Sequence, residues 1–73
     1  MILLPLLFDK VEKAKKELHA IFHSEHMMTE AAFAAHLKQM MHCSSNEVQL
    51  VINILEAVKQ VEVIRDIQVV QHC

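Results

Sequence analysis

The chain has 73 residues, 53% of them hydrophobic, with seven Lys plus Arg against nine Asp plus Glu and a formal net charge of −2. A chain of this length buries only about 60% of the surface its unfolded form exposes, which leaves room for one core and excludes a second sizeable domain. The near balance of charge excludes the broad basic field that steers proteins onto nucleic acid or anionic membrane.

Residue usage narrows the setting further. Two cysteines, Cys43 and Cys73, are too few and too far apart for a disulfide framework or a CxxC site, so a reduced, intracellular compartment is expected. The opening run Met1 to Phe8 is apolar but lacks a basic leader and a small-residue cleavage site, and it is too short to cross a bilayer. No targeting or membrane segment is expected. Protonating all six histidines would move the net charge from −2 to +4, which bears on solubility more than on function.

Residues 1–8 read as an apolar N-terminal segment ahead of a domain at 9–73. Large aliphatics there, Leu4 and Leu7 among them, need cover, either on the chain's own core or as a docking segment for a partner or a second copy. Pro5 suits a helix start or an extended lead-in.

Asp9-x-x-Glu12 has the form of a capping box, and Val11, Ala14, Leu18, Ile21 and Phe22 recur at helical spacing, predicting helix one over 9–24. Its outer face holds Lys10, Lys13, Lys16 and Glu17, a pattern read as solvated surface, with phosphate contact as the alternative. Met27 and Met28 are placed as a brief strand by their position between helices. Thr29 is expected to cap helix two over 30–41, which carries Phe33, Leu37, Met40 and Met41 among four alanines.

Ser44 with Glu47 three residues on forms a second capping box, and Val48, Val51, Ile52, Leu55 and Val58 give helix three a continuous inward face. The opposite face holds Asn46, Gln49, Leu50, Asn53, Ile54, Glu56, Ala57 and Gln60. Two β-type runs follow, Val61 to Ile64 and Ile67 to Val70, with Arg65-Asp66 at the bend. The chain has no glycine to ease that turn, and Asp is the residue expected to tolerate the left-handed region. This order predicts a mainly α fold with a small antiparallel β-hairpin, a winged helix-turn-helix of three helices plus a short wing. A plain helical bundle is the alternative if 61–70 extends helix three, but the β-branched run and the Arg65-Asp66 break argue against it.

In such a fold helix three would read DNA, yet base readout works within a frame of positively charged phosphate contacts. Helix three offers Gln49 and Asn53 to bases and no arginine. Leu50 and Ile54, one turn apart, suit a hydrophobic helix contact better, unless the 1–8 segment buries them. The expected function is therefore a non-catalytic protein-interaction module that binds a protein partner or a second copy through Leu50, Ile54, Gln49, Asn53, Leu4 and Leu7. The alternative is a nucleic-acid-binding domain using Lys10, Lys13, Lys16 and Arg65, with Gln49 and Asn53 at the bases.

Two chemistries compete with this expectation. His19, His23 and His26 would share one side of helix one if the helix ran that far, and three imidazoles can hold zinc or copper. Glu25 is the only nearby carboxylate to orient them, and surface histidines are the expected reading, with no metal and no cofactor. Cys43 beside His42 is adjacent in sequence, where side chains diverge, and without glycine there is no phosphate-cradling loop, so no enzyme activity is expected.

Three stretches carry a resemblance: Cys43-Ser-Ser-Asn-Glu-Val-Gln49, Val58-Lys59-Gln60-Val61 and Arg65-Asp-Ile-Gln-Val-Val70. Together they resemble the winged-helix domain at the C-terminus of minichromosome maintenance replicative helicase subunits, over about Asp9 to Val70. The resemblance implies a regulatory or docking appendage of a DNA-replication assembly, contacting a loading factor in the nucleus. The helicase's ATP-binding parts lie outside such a domain, so no catalytic function is implied.

Overall fold

The computed structural model describes the backbone of residues 3–23, 26–65 and 67–71, and side chains within them from Leu7 onward. Its elements run α1 (Leu3–Lys16), α2 (Leu18–Phe22), β1 (Met27–Thr29), α3 (Glu30–Met41), α4 (Ser45–Ala57), β2 (Val61–Ile64) and β3 (Gln68–Gln71). The strands form one antiparallel sheet in the order β1-β3-β2. This is the expected winged helix: a helical layer, a helix-turn-helix made by α3 and α4, and a short hairpin whose inner strand also pairs with β1.

Helix one departs from expectation at both ends. It begins at Leu3, so Asp9 lies inside α1 and caps nothing. Pro5 permits this because a first-turn residue has no intrahelical acceptor to lose. Leu7 is half-buried against the core, which draws this part of the N-terminal segment into the fold, while Phe8 remains exposed. The helix breaks at Glu17, whose backbone N–H donates to both Lys13 and Ala14 carbonyls, and the following turn α2 ends at Phe22. Ser24, the expected end, lies outside the described residues.

The two later helix starts follow the sequence closely. Thr29 Oγ1 accepts from the Ala32 N–H at 3.1 Å. Ser44 Oγ accepts from the Glu47 N–H at 3.3 Å, and Glu47 Oε1 accepts from the Ser44 N–H at 3.4 Å, completing the capping box. Lacking glycine, the chain places side-chain-bearing residues at its left-handed positions: His42 (φ 51°) after α3, Lys59 (φ 61°) after α4 and Arg65 (φ 56°) in the hairpin. Arg65, rather than the expected Asp, thus takes this conformation, and Asp66 lies outside the described residues.

The core lies between the helices and the inner sheet face. Val11, Ala14, Leu18, Ile21 and Phe22 meet Phe33, Leu37 and Met41 of α3 and Val48, Val51, Ile52 and Leu55 of α4. The Phe22 and Phe33 rings lie 5.4 Å apart at 37°, joining α2 to α3. Met28, Val69 and Val63 form one cross-strand row toward the core, and buried Val61 and Gln71 form the next. One expected inward position fails: Val58 is exposed because α4 ends at Ala57. Ile67, expected to open the second β run, sits in the turn, 62% exposed, because β3 starts one residue later.

Candidate protein-contact face on helix α4

Helix α4 is held on two flanks. On one, Lys10 Nζ of α1 donates to Glu47 Oε2. On the other, Lys38 Nζ of α3 donates to Ser45 Oγ at 3.3 Å. With Val48, Val51, Ile52 and Leu55 buried beneath, helical periodicity puts Leu50 and Ile54 on the flank they share with Glu47. Leu50 is 49% exposed, and Ile54 is half-buried with part of its surface on the core. The described residues therefore leave Leu50 uncovered.

The polar part of the face is closed upon itself. Gln49 Nε2 donates to Asn53 Oδ1 at 3.1 Å, so these two amides, the candidate base readers, are engaged with each other along one helical turn. No Lys or Arg lies within α4. The hydrogen bond from Lys10 holds the Glu47 carboxyl below its ordinary pKa, and Glu47 in turn holds the Lys10 ammonium above its own. One acidic charge at the start of the helix is thereby neutralised, leaving an aliphatic patch beside a closed ion pair.

Other expected site residues are scattered. Leu7 packs on the core, and the Leu4 side chain lies outside the described residues. Lys10 is committed to Glu47, while Lys13 and Lys16 are exposed on α1 and Arg65 is exposed in the hairpin turn. Lys15, absent from both expected sets, pairs with Glu12 at 3.2 Å. The three histidines do not share a helical face, because α2 stops at Phe22, His23 follows it, and His26 leads into β1. The His26 ring Nδ1 instead lies 3.4 Å from Gln71 Oε1, and its carbonyl accepts from the Gln71 N–H at 2.7 Å. Among the described residues no group of three His, Cys, Asp or Glu is placed to hold a metal ion.

No protein family, curated protein or solved structure matches this chain. No helix among the described residues is long and apolar enough to cross a membrane.

A shallow groove of about 310 Å³ runs between α3 and α4, lined by Ala34, Ala35, Lys38, Ser45, Val48 and Gln49. Its origin is the alanine run, whose small side chains leave space where α3 meets α4. The spacing was visible in sequence, but which of the four alanines would face α4 was not.

Proposed function

We propose that this chain is a non-catalytic winged-helix module that contacts a protein through α4. One observation carries the proposal: the exposed surface of the helix that would enter a DNA groove is aliphatic at Leu50 and Ile54 and holds no cation of its own. A groove-reading helix works within a frame of phosphate contacts, and the one lysine tied to this flank, Lys10, is taken by Glu47. An aliphatic pair one turn apart fits the helix-in-groove mode of recognition. The resemblance to the C-terminal winged helix of minichromosome maintenance helicase subunits supports placing the module in a nuclear DNA-replication assembly as a docking appendage.

The test compares the parent chain with Leu50→Asp, an exposed-site change that leaves the core intact. Proteins retained by the immobilised parent and lost by the folded variant support the α4 interface. Retention unchanged by Leu50→Asp moves the contact to another surface. The nucleic-acid reading rests on Lys13, Lys16 and Arg65, and it gains ground only if these exposed cations bind a duplex in a salt-dependent way.

A further inference from the structure

The groove between α3 and α4 carries a charge that no acid of the described residues answers. Its apolar lining is Ala34, Ala35 and Val48, and its polar lining is Lys38, Ser45 and Gln49. Lys38 is the only charged residue among the six, and its Nζ meets a neutral group, Ser45 Oγ at 3.3 Å. No acid stands between Ala34 and Lys38. Glu47, the one acid between Ser45 and Gln49, turns to the other flank of α4 and holds Lys10. Spare donors gather at the same place. The Lys38 ammonium uses one of its three N–H groups here, and the Ser45 hydroxyl accepts from it while keeping its own O–H to donate.

We propose that this groove takes an acidic, amphipathic helix of a partner protein. A leucine-sized side chain of that helix rests on Ala34, Ala35 and Val48, and one Asp or Glu carboxylate accepts from Lys38 and Ser45. Charge selects the acidic occupant, because a carboxylate beside Lys38 completes a pair that the chain leaves half made. Spacing selects the pattern. Ala34 and Lys38 lie one turn apart on α3, about 6 Å along its axis, which matches the separation of side chains at i and i+4 on a partner helix. Volume selects side chains over a small molecule, since about 310 Å³ is at the lower end of the roughly 300–1,000 Å³ of ligand pockets. The groove lies on the Lys38 and Ser45 flank of α4, away from Leu50 and Ile54, and its reading does not depend on theirs.

The probe is an alanine-based helical peptide of about 14 residues with Leu and Glu four apart, titrated into isotope-labelled chain and followed by amide chemical shifts. The amides of Ala34, Ala35, Lys38, Ser45 and Gln49 are expected to move together, with a dissociation constant of about 0.1–1 mM. A peptide with Gln for Glu should bind about threefold more weakly, and one with Ala for Leu about tenfold. Lys38→Glu should reverse the preference, so that a peptide with Lys for Glu becomes the better ligand. Ala35→Leu, at an exposed site, fills the groove and should remove binding from a folded chain. Leu50→Asp should change nothing. Peptide at about 10 mM that moves none of these amides overturns the proposal. So does a preference unmoved by Lys38→Glu, or binding that survives Ala35→Leu. Loss with Leu50→Asp would place the peptide on the other flank of α4 and sink this proposal while leaving the α4 contact standing. The same shifts on concentrating the chain alone would seat a second copy in the groove and overturn it too.

Discussion

Leu50 and Leu55 sit five residues apart on α4 and separate the interface reading from a core reading. Leu55 is fully buried and Leu50 is 49% exposed. Truncating a buried leucine removes its transfer free energy and leaves a cavity, about 2–5 kcal/mol for Leu55→Ala. Full burial of a leucine is worth about 1.5–3 kcal/mol, so at half exposure Leu50→Ala should cost about 1 kcal/mol or less. A chain of this size holds about 4–11 kcal/mol in total, so the first change approaches the limit of folding and the second is easily borne. In a domain of this length each kcal/mol moves Tm by about 4–8 °C, so the two variants should differ by about 4 °C or more. Urea unfolding followed by far-ultraviolet circular dichroism measures both. Equal losses would show that Leu50 is a core residue and remove the main support for the α4 interface.

Ser44→Ala removes one half of the capping box and should lower stability by about 1 kcal/mol in the same unfolding assay, with Thr29→Ala similar for α3. Lys59→Gly relieves a side-chain-bearing residue at φ 61° and should stabilise the chain by about 0.5–1 kcal/mol, seen as a higher Tm. The Lys10–Glu47 pair gives a signed pH response. Because the folded Glu47 pKa is depressed, its contribution is full above the ordinary glutamate value and fades as pH falls through the folded one. The raised Lys10 pKa predicts a second loss in alkali, as pH rises through that value. Lys10→Met should flatten the acid limb of stability against pH, and an unchanged limb would refute the linkage.

Legibility in the sequence followed how local each signal is. The caps at Thr29 and Ser44 and the inward positions Val48, Val51, Ile52 and Leu55 were readable, because cap and periodicity are set within a few residues. Met27-Met28 was placed as a strand by element order, and its pairing with Val70 and Val69 supplies the physical reason: β3 has a free side that needs a partner. Asp9-x-x-Glu12 imitates a cap that the preceding helical turns leave no role, so the sequence points to a later start for helix one than Leu3. Val58 and Ile67 lie at element ends, where a shift of one residue decides which face a side chain takes and sequence periodicity cannot place it. At the site, the exposure of Leu50 could be proposed from periodicity but not separated from burial under the N-terminal segment. The Lys10–Glu47 contact joins positions 37 residues apart and leaves no local trace.

The most direct measurement is sedimentation of the chain at low salt with a short DNA duplex followed by its absorbance. The account predicts that the duplex sediments as free DNA at every chain concentration. A complex whose affinity falls steeply with salt, and which is lost on replacing Lys13 and Lys16 with alanine, would contradict it and make the domain a nucleic-acid binder.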